Sequence, residues 1–147
     1  MGRVVILGVF VADTAYRAAR APKMGETIMG ESFALGPGGK GSNQAVAAAM
    51  AGADTHLITR LGRDPFADMA LATWKKAGVT PAITQHSDSY TGAAYIFIED
   101  ATGNNAIIVS PGAAGRGLDG GGVRGRAGFR SGCKESGRIL GVRQTSV

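Results

Sequence analysis

Only one cysteine, Cys133, occurs in the 147 residues. An intramolecular disulfide is therefore excluded, and a reducing, cytoplasmic setting is the expectation. No apolar run reaches the roughly 18 residues that a membrane span requires. The run VVILGVFVA at 4–12 resembles the apolar core of a signal peptide, but Asp13 follows at once and no A-x-A site closes it. Aromatic residues are sparse at 6%, which leaves little for stacking against bases. A net charge of one sign is also missing from most of the chain. Residues 1–111 carry nine Lys/Arg and nine Asp/Glu, so the formal +5 belongs wholly to residues 112–147. That distribution argues against a nucleic-acid-binding body. A basic Gly/Arg-rich end remains as a possible RNA contact, with Phe129 as its only aromatic.

What is present suits a soluble globular unit: 44% hydrophobic residues and a mean hydropathy of +0.05. RVVILGVFVA (3–12) has the continuous β-branched pattern of a strand buried on both faces. APKMGETIMGESFAL (21–35) reads as a loop with one or two short exposed strands. SNQAVAAAMAG (42–52) reads as a helix capped by Ser42 or Asn43 and closed by Gly52. THLITRLG (55–62) is a second strand. A second helix starts with Asp64 as N-cap and Pro65 in its first turn, and ends at Gly78. Phe66, Met69, Ala70, Thr73, Trp74 and Ala77 mark its core face. GAAYIFIED (92–100) and NNAIIVS (104–110) flank ATG as a hairpin-like pair. This order predicts an α/β fold with a parallel sheet and an antiparallel side element. After Gly112 the periodicity stops. Residues 114–147 are expected to be a disordered tail, separate from a unit spanning 1–113.

The glycine-rich stretch GPGGKGSNQAVAAAMAG (36–52) carries the functional signal. Walker A chemistry needs G-K-[ST], and here Gly39-Lys40 is followed by Gly41. Gly36, Gly38 and Gly41 match G-x-G-x-x-G only formally. They do not close the first βα turn, and no acidic residue stands about 20 positions on. A third reading fits better. Glycines before a helix expose backbone N–H groups that accept hydroxyls as readily as phosphates. Lys40 adds a donor, and Asn43 a donor and an acceptor. Asp13, just past the first strand, is placed at the carboxyl edge of the parallel sheet, where ligands bind in such folds. A carboxylate accepts two hydrogen bonds from vicinal hydroxyls, so the set suits a sugar.

GPGGKGSNQAVAAAMAGADTHLITRLGRDPFADM resembles the first signature of the PfkB carbohydrate kinase family, and GGKGSNQAVAA its ribokinase branch. LGVFVAD (7–13), MGETIMG (24–30) and TGAAYIFIEDATGNNAIIVSPGA (91–113) agree in order and spacing. The resemblance implies ATP- and magnesium-dependent phosphorylation of a sugar hydroxyl. It implies a doubly wound sheet with a small β lid, built from segments near 14–35 and 91–110, that also pairs subunits as a homodimer. Asp13 would hold the sugar hydroxyls. Gly39, Lys40, Gly41 and Asn43 would line the pocket. Two departures stand out. The family usually reads N-x-D where this chain has Val11 before Asp13, so one amide contact is absent. The second signature, near G-A-G-D, with its catalytic aspartate and ATP site, is not found; AGAD (51–54) reads as a helix end entering a strand. The expectation is a truncated, catalytically incompetent sugar-binding half, ending in a Gly/Arg-rich segment of the kind a frameshift in GC-rich DNA produces. An unpaired edge and an uncovered face would make such a half poorly soluble.

Overall fold

A computed structural model describes residues 2–85 and 88–115. The tail assignment for 114–147 falls almost entirely outside them. Three strands, β1 (Arg3–Leu7), β4 (Asp54–Leu61) and β5 (Thr80–Gln85), form a parallel sheet in the order β1-β4-β5. Four more, β2 (Val11–Ala18), β3 (Ser32–Gly38), β6 (Thr91–Glu99) and β7 (Asn105–Gly112), form a second sheet in the order β3-β2-β6-β7. Helix α1 (Lys40–Met50) leads into β4, and α2 (Pro65–Ala77) joins β4 to β5.

The apolar run 3–12 is not one strand buried on both faces. It breaks at Gly8, whose N–H donates to the Ile58 carbonyl at 3.1 Å and completes the β1–β4 ladder. A Cβ on Gly8 would lie 2.7 Å from the Gly41 Cα, so the break can only be built close to α1 with glycine here. Phe10 then turns into the core, and Val11 opens a strand of the other sheet.

Both helices cover the same face of the parallel sheet. Alternate residues of β4, Thr55, Leu57, Thr59 and Leu61, are buried. Leu57 and Leu61 join Phe10, Ala12, Ala45, Ala67, Ala70, Trp74 and Val79 in one core. On the opposite face Val5, Leu7 and Ile58 are 49%, 56% and 43% exposed. Burial on both faces failed for β1 because the described residues supply helices to only one.

The helices obey their end signals unequally. In α2, Asp64 caps the Ala67 N–H at 2.9 Å, Pro65 occupies the first turn, and Gly78 closes the helix in the left-handed conformation at φ 79°. Of the helical face read from Phe66, Met69, Ala70, Thr73, Trp74 and Ala77, all but Thr73 belong to the core or pack against it, and the Thr73 hydroxyl donates to the Met69 carbonyl at 2.8 Å. In α1 neither Ser42 nor Asn43 is the cap. Gly39 holds that position at φ 89° with no side-chain hydrogen bond. The helix starts earlier because glycine can turn the chain directly from β3 into α1. Ser42 is one turn inside, where its Oγ accepts the Trp74 Nε1–H at 2.8 Å and ties the helices together. Gly52 does adopt positive φ, at 88°, after α1.

The second sheet is mixed, not purely antiparallel. β2–β3 and β6–β7 are antiparallel, but β2 and β6 run parallel from Ala12↔Ala93 to Ala18↔Glu99. The segment 21–35 contributes one strand, β3, which continues through Pro37; as an edge strand it tolerates a residue without an N–H. The two sheets are joined by polar contacts as well as by chain. Asp64 Oδ2 accepts the Thr91 N–H at 2.6 Å, and Thr91 Oγ1 accepts the Gly62 N–H at 3.0 Å.

Candidate sugar site

Asp13 lies inside β2, two residues after it begins, rather than beyond the end of a parallel-sheet strand. The strand it follows ends at Leu7, and the chain has already crossed to the second sheet. Across the ladder Asp13 faces Gly36, and Val11 faces Gly38. Side chains alternate along a strand, so Val11, Asp13, Gly36 and Gly38 share one face. Phe10 and Ala12 take the other and enter the core.

The glycines make room for the carboxylate. A Cβ on Gly38 would lie 2.1 Å from Asp13 Oδ2 and 2.3 Å from its Cγ, so Asp13 rests directly on the bare Gly38 backbone. Gly39, at φ 89°, has no space either: its Cβ would stand 2.4 Å from the Val9 carbonyl oxygen. A Cβ on Gly41 would lie 2.6 Å from the Gly8 Cα. These three contacts set Asp13 at the entrance of α1. The Ser42 N–H donates to the Val9 carbonyl at 3.3 Å and the Asn43 N–H to the Gly39 carbonyl at 2.9 Å. The first two helical N–H groups, of Lys40 and Gly41, have no backbone partner among the described residues.

Asp13 is partly buried, and burial pushes its carboxyl pKa above the ordinary 3.8. No side chain or backbone group among the described residues donates to it. A carboxylate held off water without an internal donor is prepared to accept hydrogen bonds from a ligand. Lys40 and Asn43 sit on the exposed first turn of α1, three positions apart and hence neighbours on its surface. Their side chains make no hydrogen bond among the described residues. The fold thus brings Asp13, Gly39 and Gly41 into one packed unit. Lys40 and Asn43 stand on its rim and do not touch Asp13.

Two residues essential to this geometry were not singled out from the sequence. Gly38 supplies the surface under Asp13, and Gly8 supplies the contact that seats Gly41. Gly8 had a readable signal, a glycine interrupting a β-branched run. Gly38 had none until the β2–β3 register was known. Asp54 in AGAD is accounted for structurally: it opens β4 and pairs with Arg3 at 2.6 Å.

Sequence and structure comparisons bear on the family and the fold. The pattern of the pfkB family carbohydrate kinases matches residues 1–119. A ribokinase of Bacillus subtilis is 37% identical over 114 residues, which is 77% of this chain and 38% of that protein. A deoxyribokinase of Salmonella typhi is 33% identical over 111 residues, 75% of this chain and 36% of that protein. The structure of Arabidopsis thaliana ribokinase complexed with ribose and ATP superposes with a TM-score of 0.71 at 31% identity, covering 77% of this chain and 37% of that one. This chain therefore spans little more than a third of the length of these relatives. With the family pattern, the relatives and the superposition in agreement, the chain belongs to the pfkB family of carbohydrate kinases.

Proposed function

We propose that the described residues form the sugar-binding side of a ribokinase-like carbohydrate kinase. The observation that carries this reading is the Asp13 carboxylate, lying on bare Gly38 at the entrance of α1 with no donor of its own. Asp13 accepts two sugar hydroxyls. The free N–H groups at the start of α1, with Lys40 and Asn43 on the rim, supply donors to the remaining oxygens. The relatives include ribokinases, a deoxyribokinase and a ribokinase complexed with ribose and ATP, which supports a small pentose as the substrate and ATP as the phosphate donor.

Phosphoryl transfer needs a base for the attacking hydroxyl and charge stabilisation around the moving phosphate. Asp13 is assigned the orienting of hydroxyls as a hydrogen-bond acceptor, not the role of base. Among the described residues no group of three or more His, Cys, Asp or Glu could hold a metal ion. We expect the 147-residue chain alone to bind sugar without phosphorylating it, because the second family signature with its catalytic aspartate is not found in the sequence. Calorimetric titration of the purified chain with ribose and 2-deoxyribose tests the binding half of the reading. Heat that saturates for the native chain and vanishes for Asp13→Ala supports it; equal heats for both proteins refute it. ATP-dependent phosphorylation of either sugar by this chain would refute the second half.

A further reading concerns the opposite face of the mixed sheet. Tyr16, Phe33 and Tyr95 cluster there, with ring centroids 5.1 and 5.4 Å apart, and are 41%, 57% and 38% exposed. An exposed aromatic cluster on a sheet face suits protein contact, so we assign this surface to pairing of two copies through the lid. Light scattering should give a dimer mass, and Tyr16→Ser with Phe33→Ser should give a monomer that still binds sugar. A native monomer at high concentration would remove this reading.

A further inference from the structure

We infer that Asp64 is a positioning residue of the sugar site, and that α2 is the bracket through which it acts. The inference rests on the sugar-binding reading of Asp13 and goes beyond it by naming a residue that sets the spacing of acceptor and donors. The two sides of the site belong to different elements. Asp13 is on β2, and Lys40, Gly41 and Asn43 are in the first turn of α1. A sugar that bridges them needs their spacing held to within about 0.5 Å. On one side of β2 the chain itself helps to set it, because β3 runs through Gly39 into α1. On the other side β2 lies parallel to β6, with Ala12 opposite Ala93 and Asp13 opposite Ala94. β6 begins at Thr91, and there Asp64 takes hold of it.

Asp64 divides its carboxylate between two elements. Oδ1 accepts the Ala67 N–H at 2.9 Å and caps α2, while Oδ2 accepts the Thr91 N–H at 2.6 Å. A cap needs only the first oxygen. Thr91 is fully buried, and its Oγ1 accepts the Gly62 N–H at 3.0 Å, so the first residue of β6 is gripped through backbone and side chain. The approach is close: a Cβ on Gly62 would lie 2.6 Å from the Thr91 nitrogen. A Cβ on Gly92 would lie 3.1 Å from the carbonyl oxygen of Phe10, the residue before β2. Further along the same helix, Trp74 Nε1–H donates to Ser42 Oγ at 2.8 Å, one residue before Asn43. Both of those residues are buried. Helix α2 thus holds the β6–β2 layer at its start and α1 along its length. A close-packed interior passes a displacement on, so releasing either grip shifts Asp13 against the donors of α1.

Calorimetric titration of the full chain with ribose and 2-deoxyribose tests this, at a temperature where circular dichroism shows each protein fully folded. Asp64→Asn keeps one oxygen for the α2 cap and turns an amide donor toward the Thr91 N–H, so the grip on β6 is lost and the cap stays. Trp74→Phe keeps an aromatic ring and loses the bond to Ser42. Each should weaken pentose binding about tenfold or more. Ile83→Ala removes core packing from β5, at the far edge of the parallel sheet, and should leave the affinity at its native value. Native affinity in folded Asp64→Asn is what a merely structural aspartate gives; it overturns the inference, while loss of binding in Asp13→Ala still upholds the site. An equal loss in Ile83→Ala also overturns it, because any loosening of the core would then suffice. If Asp64→Asn does not fold, Trp74→Phe decides, and native affinity there overturns the bracket. Failure of the native chain to bind either pentose overturns the inference together with the reading beneath it.

Discussion

Asp13 is held in a position that costs the fold and serves a ligand. Its carboxyl pKa is raised by burial, so the charged form is less stable in the folded chain than in the unfolded one. For a carboxylate raised in this way, the fold gains stability as pH falls through the raised pKa and loses it as pH rises. Asp13→Asn should therefore raise the melting temperature at neutral pH while weakening sugar binding, measured by scanning calorimetry and titration on the same sample. In the native chain, sugar affinity should fall on acidification at a pH above the ordinary carboxylate value of 3.8, because the protonated acid loses acceptor capacity. Gly38 is the second decisive residue. Gly38→Ala places a methyl where Asp13 Oδ2 now stands, at a nominal 2.1 Å. The carboxylate must swing away, so sugar affinity should drop by about tenfold or more, in line with misplacement of a positioning group. Circular dichroism should show the helices retained.

Among the elements, α2 was the most legible and α1 the most misleading, for the same physical reason. Helix ends announce themselves when a side chain caps them. Asp64, Pro65 and Gly78 are such signals, and each performs its expected task. At α1 the turn is made by backbone freedom at Gly39, so neither polar residue that looked like a cap caps it, and Ser42 binds Trp74 instead. Strand reading failed where tertiary context decides. The break at Gly8 depends on contact with Gly41, far along the chain on no local pattern. β5 was missed because Thr80–Gln85 is short, contains Pro81 and lies at a sheet edge. Asp64 shows how an element end also carries tertiary structure. Burial opposes its charge, but N–H groups of Thr91 and Ala67 outweigh that and hold its pKa below 3.8. A lowered carboxylate contributes stability above its unfolded pKa, and that contribution is lost as pH falls through the folded one. Asp64→Ala removes a cap and leaves the Thr91 N–H without its acceptor, for a loss of about 1–3 kcal/mol in urea denaturation. The loss should shrink in strong acid, where the native carboxyl is already protonated.

The described residues form a three-stranded parallel sheet with helices on one face, joined to a four-stranded mixed sheet that carries the Asp13 patch. The family and its α/β architecture were legible in the glycine-rich stretch, because its residues and their order are constrained together by the β3–α1 turn. The candidate residues were legible as a set, but their arrangement was not. Asp13 was read as lying at the carboxyl edge of the parallel sheet, and the structure places it inside β2 of the other sheet. Only the β2–β3 register shows that its carboxylate rests on Gly38 and that Val11 stands beside it. The exposed Val5, Leu7 and Ile58 keep the expectation of poor solubility open to a direct check by light scattering.

The central claim is that the glycine turn at 38–41 receives a sugar and is not a nucleotide cradle. Amide chemical-shift mapping of the isotope-labelled chain tests it most directly, with 2-deoxyribose, ribose and magnesium–ATP titrated separately. The account predicts saturable shifts on the amides of Asp13, Gly38, Gly39, Lys40, Gly41 and Asn43 with a pentose, and none on those amides with magnesium–ATP. Shifts at Gly38–Gly41 with the nucleotide, and none with either sugar, would contradict it.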